Sequence, residues 1–340
     1  MPFIKMFAAA SLPLLLFFFS ISFYLQPIQG DLTRVANLSE KSWGWNKPQP
    51  AISVHGNEDS PDAHVIVIGD SFSDKNIWQT VSQTVSGERF LTFTWHDIGK
   101  AECLQSTLFT LMARYPSVRY FVVESVERAF VGNFYGDQQD PQHCKAVVRS
   151  SVKPRNEPTL ATRPRFDVDK PILDPVYAVK ALMAEGASYA TTAASGDGYI
   201  APLDRSDLFS NRRSDFLLFF HEDLNKKNWT GEQLERSVRS VSQISESVNK
   251  RGVKFILAVV PDKSTVYSKY LKEPLFDTPK DVWRALASTS IRSVDLKTLF
   301  LREAQARVDF YLPNDTHLGA EGFTAMGQAI ASQLKPEAER

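Results

Sequence analysis

Two short segments near opposite ends of the chain carry residue types that together can perform acyl transfer. The first is Gly69-Asp70-Ser71-Phe72-Ser73, and the second is Pro313-Asn314-Asp315-Thr316-His317-Leu318-Gly319. A serine hydroxyl is a weak nucleophile until a base removes its proton, and imidazole suits that task near neutral pH. The base needs a carboxylate to set its tautomer and to stabilise the imidazolium that forms. Asp315 and His317, two apart in one turn, offer both, and Ser71 offers the nucleophile. Either segment alone is ordinary turn chemistry. Their joint occurrence at opposite ends of one domain is what points to a Ser71–His317–Asp315 triad.

These residues must be brought together by the elements around them. His64 to Ile68 reads as a short buried strand running directly into Gly69, with helical character from Asp74 to Val85. A serine at that junction lies beyond the carboxyl end of a strand, where open α/β sheets bind ligands, and near free N–H groups at a helix start. Such groups can stabilise an oxyanion. Gly69 permits the tight turn, and Asp70 is expected to order the loop rather than to act in chemistry. Further strands are expected at Phe90–Trp95, Val118–Val123, Asp215–Phe220, Val253–Val260 and Ile291–Val294. Helices are expected at Glu102–Arg114, from a Thr230/Gln233 capping box to Asn249 with Gly252 as its stop, and at Ala320–Leu334. The alternation predicts an α/β fold: a three-layer α/β/α arrangement around a mainly parallel sheet. Residues 132–214 break the rhythm and read as an insertion over the edge or mouth of the sheet, with local helix near Val176–Glu185.

With these residues in view, the chain resembles the SGNH (GDSL-like) hydrolase superfamily over about residues 60–336. More narrowly it is similar to the exported alginate O-acetyltransferase-like branch, which modifies exopolysaccharides. The phenylalanine after the serine, the Asp-Thr-His spacing, Pro261-Asp262-Lys263 at a strand end, and Glu124-Ser125-Val126-Glu127-Arg128 after the third strand carry that narrower likeness. The general esterases usually show Asp-x-x-His. The resemblance implies Ser71 as nucleophile, His317 as base and Asp315 as the carboxylate that orients it. One departure stands out: where many SGNH hydrolases carry Gly-x-Asn-Asp, with its asparagine donating to the oxyanion, this chain has Glu-Ser-Val-Glu-Arg. The Ser71 amide is the first candidate oxyanion donor and Gly99 a weaker one. Arg128 and Lys263 stand as candidates for assisting a developing negative charge or binding an anionic sugar. The competing reading of Arg128 is a salt bridge to Glu127 or Glu124 that holds the loop.

The rest of the composition narrows the class. Lys plus Arg and Asp plus Glu each number 39, so the formal net charge is zero, which argues against nucleic acid as a partner. No Cys/His spacing reads as a metal site, and no cofactor motif follows a predicted strand. Residues 6–25 carry no charge and are long enough to span a bilayer, so residues 1–25 read as a signal anchor or as a signal peptide cleaved near Ser20-Ile21-Ser22. Residues 26–62 read as a stalk or wrapped N-terminal extension, and 63–336 as the catalytic domain. The expected location is the inner membrane with a periplasmic catalytic domain, or the periplasm if the segment is cleaved. An exported chain meets oxidising conditions, under which Cys103 and Cys144 either pair or remain two buried thiols.

The expected function is an exported O-acyltransferase acting on a polysaccharide. By the resemblance, its donor is supplied across the membrane by a multi-pass O-acyltransferase partner. A carbohydrate or lipid esterase with the same triad is the alternative enzyme. A non-catalytic glycan-binding subunit of an export complex is the alternative of another class.

Overall fold

The computed structural model describes residues 2–25, 30–98, 101–136, 144, 175–275 and 280–334, with the side chains of Pro2, Ser22 and Phe23 left aside. The strands in chain order are β1 (Val65–Gly69), β2 (Phe90–Thr94), β3 (Tyr120–Val126), β4 (Ala193–Ser195), β5 (Gly198–Pro202), β6 (Phe216–Phe220), β7 (Lys254–Val260) and β8 (Ser293–Val294). Five of them form a parallel sheet in the order β2-β1-β3-β7-β8. The central strands carry unbroken apolar runs, Val65–Ile68 in β1, Tyr120–Val123 in β3 and Phe255–Val260 in β7, because both faces are covered. Val65, Val67, Val122, Ile256 and Ala258 face one core, and Ile66, Ile68, Phe121, Val123, Phe255 and Leu257 face the other.

In chain order the helices are α1 (Pro2–Leu25), α2 (Asp31–Val35), α3 (Glu40–Trp43), α4 (Ser71–Asp74), α5 (Ile77–Ser86), α6 (Leu104–Arg114), α7 (Phe130–Phe134), α8 (Pro175–Glu185), α9 (Gly231–Asn249), α10 (Lys263–Val266), α11 (Val282–Leu286), α12 (Leu296–Glu303) and α13 (Ala320–Gln333). Side chains of α5, α12 and α13 enter the first core, and those of α6, α7, α9 and α11 enter the second, which completes the three layers. Helix α9 begins where its sequence dictates. The Thr230 side chain accepts from the Gln233 amide while Gln233 accepts from the Thr230 amide, and the chain turns out of the helix at Gly252 with φ of +82°.

The order of the sheet decides where a site can form. From β1 the chain crosses one way to β2 and then the other way to β3, so the strand order reverses between β1 and β3, the place where open α/β sheets bind ligands. Ser71 opens the segment that follows β1.

The strand expected at Asp215–Phe220 forms, but in a different sheet. β6 pairs antiparallel with β5, and β5 with β4 through a turn at Gly196 and Asp197. Its apolar run is still covered on both sides, because Leu217 and Phe219 face the first core while Phe216 and Leu218 face Leu32, Ala36, Leu38 and Trp43 of the N-terminal segment. Of the segment expected as an insertion, the described part consists of the end of α7, α8 and the β4–β5 hairpin.

Residues 30–49 lie against the domain rather than away from it, packed on the small sheet and hydrogen-bonded to the loop before α13. Helix α1 contains one apolar stretch, Phe3–Ile21, long enough to cross a membrane, and none of it is buried. A signal sequence has the same length and composition. Near its end, Phe18, Ile21 and Leu25 touch Tyr177, Ala178 and Ala181 of α8. Cys103 and Cys144 are joined in a disulfide.

Candidate active site

The turn after β1 is built on buried polar contacts. Gly69 is required by close approach rather than by a left-handed backbone: a Cβ there would lie 2.2 Å from Ser73 Oγ and 2.5 Å from Glu124 Oε2. Asp70 caps the short helix α4. Its Oδ1 accepts from the Phe72 amide at 3.0 Å, and its Oδ2 accepts from the Val126 amide of β3 at 2.7 Å. Beneath the turn, Glu124 Oε2 accepts from the Asp70 amide at 3.0 Å and from the Ser73 hydroxyl at 2.7 Å. Burial, reinforced by the neighbouring Asp70 charge, pushes the Glu124 carboxyl well above its ordinary value. Ser71 is thus presented on the exposed side of a turn whose other residues are buried or bonded. Its amide lies in the first turn of α4, where a helix leaves N–H groups without internal partners.

The second half of the site comes from the loop before α13. His317 Nε2 lies 2.8 Å from Ser71 Oγ, across 246 positions of sequence. On its other side His317 Nδ1 lies 2.6 Å from Asp315 Oδ1, which also accepts from the His317 amide at 2.9 Å. Phe72 packs against the imidazole with ring centres 4.9 Å apart. Burial disfavours the charged ring, but the Asp315 carboxylate and then Asp31 outweigh it, so His317 is held above the ordinary imidazole value despite Lys75 nearby. Burial likewise opposes ionisation of Asp315, and the charge and hydrogen bonds of His317 overcome it, holding that carboxyl well below its usual range.

The loop is braced from two directions. From below, Lys263 Nζ donates to the carbonyls of Leu312, Pro313 and Asp315 at 2.7, 2.9 and 3.2 Å. Burial pushes this ammonium down to about 7, against the pull of Asp315 and Asp31. Lys263 is therefore no donor to the mouth of the site: it is buried and its N–H groups are spent on the loop. From the side, Asp31 of α2 accepts from Thr316, the residue between Asp315 and His317.

Arg128 also departs from both expectations. Its guanidinium is mostly buried and bonds Asp262 at 2.6 Å and Asp223 at 3.3 Å, rather than Glu127 or Glu124. Asp262 and Glu127 in turn share Lys226, at 2.8 and 2.9 Å. These groups are distant in sequence, and only the ends of β3 and β7 lying side by side makes them one cluster. In the stretch that replaces the family's Gly-x-Asn-Asp, the Val126 N–H is taken by Asp70, and the Ser125 hydroxyl donates to Val126 O and accepts from Asn133. Gly99 lies outside the described residues.

Asp31, Asp315 and His317 place ligand-type atoms within 4.8 Å of one another. Each is engaged by a hydrogen bond, to Thr316, to His317 and to Ser71 respectively, so the group is organised as a triad with a second carboxylate alongside. Sequence reasoning missed Asp31, which sits in a stretch resembling a stalk. It also missed Glu124 as the buried floor of the nucleophile turn.

Comparison with known proteins agrees with this architecture. Residues 214–340 match a family described as an SGNH hydrolase-like domain, acetyltransferase AlgX. Over 111 residues the chain is 31% identical to a protein of Pseudomonas aeruginosa named probable alginate O-acetylase AlgJ, a match covering 31% of this chain and 28% of that protein. Residues 214–340, the part of the chain that supplies Asp315 and His317, are thus similar to an SGNH hydrolase-like acetyltransferase domain, and the chain spans under a third of the length of the alginate O-acetylase relative that it matches.

Proposed function

We propose that this protein is an exported, membrane-tethered serine O-acyltransferase that moves an acetyl group onto a polysaccharide hydroxyl. The observation that carries the reading is the unbroken line Ser71 Oγ–His317 Nε2 and His317 Nδ1–Asp315, at 2.8 and 2.6 Å. His317 takes the Ser71 proton as Oγ attacks the acetyl carbonyl of the donor. The Ser71 amide faces the oxyanion that develops, and the imidazolium, stabilised by Asp315, returns its proton to the departing group. A sugar hydroxyl then attacks the acetyl-serine ester, gives its proton to His317, and leaves with the acetyl group as Ser71 regains its hydrogen. The donor would come from a multi-pass membrane O-acyltransferase, and alginate-type polysaccharide is the first acceptor to try, given the relative's name.

The test supplies the full chain in detergent with a chromogenic acetyl ester, with and without alginate oligosaccharide. Acetylated oligosaccharide is the expected product, and Ser71→Ala or His317→Gln should lower its formation by at least about 10³-fold. Full activity in Ser71→Ala would refute the mechanism. The exposed Ser71 hydroxyl favours one second reading, an esterase, because water can reach the acyl-enzyme. Acetate released at the same rate regardless of acceptor would select it. Because the base must be neutral and its two carboxylates favour the charged form, the acid limb should fall above the free imidazole value of about 6.5, with rate rising as pH increases through it.

A further inference from the structure

The segment between α1 and the catalytic domain is bonded to the His317 loop more densely than a stalk requires. Asp31 Oδ1 accepts from the Thr316 amide at 2.8 Å and Oδ2 from the Thr316 hydroxyl at 2.5 Å, which fixes the residue between Asp315 and His317 at both its donors. The same Oδ2 lies 3.6 Å from His317 Nδ1. Next to it, the Leu32 and Thr33 amides donate to Asn314 O at 3.1 and 3.4 Å. Asn314 Nδ2 donates to Glu40 Oε2 at 2.8 Å, while Glu40 Oε1 accepts from the Gly30 amide at 2.8 Å. A Cβ on Gly30 would lie 2.0 Å from Asn314 O, so the strap presses directly on the loop. Further along, Gln49 Oε1 accepts from the Ala320 amide at 3.0 Å, at the start of α13. Asn314 and Thr316, the residues on either side of Asp315, are thereby held by residues from outside the catalytic domain's own sheet.

We propose that residues 30–49 are a built part of the acyl-transfer centre, with Asp31 the positioning residue that clamps Thr316 and sets a second negative charge beside Nδ1 of His317. The inference rests on the reading of Ser71 and His317 given above. Asp31 touches no reacting atom and acts through His317. The clamp limits how far the ring can swing from Ser71, and the charge favours the imidazolium formed when Ser71 is deprotonated. The other charged groups facing the ring or its carboxylate are Asp315 on the same loop, Lys75 after α4, and Lys263 of α10 beneath the loop.

The test uses the full chain in detergent and compares wild type with Asp31→Asn and Asp31→Ala. The asparagine keeps the shape and one acceptor while removing the charge, whereas alanine removes both. The His317 ring signal, one of six histidines, is assigned by its loss in His317→Gln and titrated by NMR. Alongside it, the pH dependence of Ser71 acylation is followed with a fluorophosphonate probe. In Asp31→Asn the ring titration and the acid limb of acylation should both fall by about one pH unit, the size expected for loss of an opposite charge within about 4 Å. Asp31→Ala should show the same fall and, in addition, about tenfold slower acylation at the plateau. A ring titration unchanged in Asp31→Asn overturns the proposal, since a merely structural role would cost folded protein without moving it. The ring measurement needs no turnover, so it judges Asp31 even if Ser71→Ala acylates normally and the enzyme reading itself fails.

Discussion

Gly69 shows how little freedom the nucleophile turn has. Its φ is unremarkable, yet an added methyl would sit at 2.2 Å from Ser73 Oγ, inside a buried cluster that includes Glu124. Gly69→Ala should therefore cost about 1–3 kcal/mol through overpacking, read as a lower urea midpoint, and it should slow Ser71 acylation by displacing the turn. Glu124 makes a pH-dependent prediction. Burial and the Asp70 charge raise its pKa well above the ordinary glutamate value of about 4.5 that holds in the unfolded chain, so the folded state binds protons more tightly and stability declines as pH rises above that ordinary value. Glu124→Gln preserves an acceptor for the Asp70 amide and the Ser73 hydroxyl without that proton. The variant should lose the decline, gaining on wild type in chemical denaturation at pH 8 relative to pH 5.

At the scale of elements, the ends of β3 and β7 are locked by a buried ion cluster rather than by apolar packing alone. Lys226, from the turn after β6, joins Glu127 and Asp262, and Arg128 joins Asp262 and Asp223. Lys226→Met would leave those buried carboxylates without their ammonium, and removal of one partner from such a cluster costs about 3–5 kcal/mol. Thermal unfolding of the variant should show a loss of that order. The cluster was illegible in the residues themselves: Glu127 and Arg128 resemble a local pair, and Lys226 with Lys227 resembles a solvated turn. By contrast, α9 was legible almost to the residue and the parallel strands to within three residues, because a capping box, a terminal glycine and apolar runs are local signals. β6 was legible as a strand but not as to its sheet, since an apolar run reports only that both faces are covered.

For the molecule as a whole, the end of α1 is tied into the body. Leu25 is fully buried, its carbonyl accepts from the Ser39 hydroxyl at 2.7 Å, and Phe18 and Ile21 lie against α8. Asp31 follows six positions later, a reach of at most about 22 Å of extended chain. If Phe3–Ile21 stays in the bilayer, the proposed acyl-transfer centre is confined near the membrane surface, on the side where the proposed membrane-borne donor would deliver its acetyl group. The expected outcome is that the full-length chain remains with membranes through an alkaline carbonate wash. A soluble chain beginning near residue 23 would show instead that the segment is cleaved.

The amino-acid sequence determined the layered α/β plan, the nucleophile turn and the Asp-Thr-His loop, because strand burial, capping and turn chemistry act between near neighbours and leave local marks. It could not determine that Ser71 and His317 meet, that Arg128 is consumed by Asp223 and Asp262, that Lys263 faces inward, or that Asp31 reaches the far end of the chain. Those outcomes depend on which loops the β2-β1-β3-β7-β8 order brings to one rim of the sheet. A charged residue carries no sign of its distant partner until the fold removes water from both.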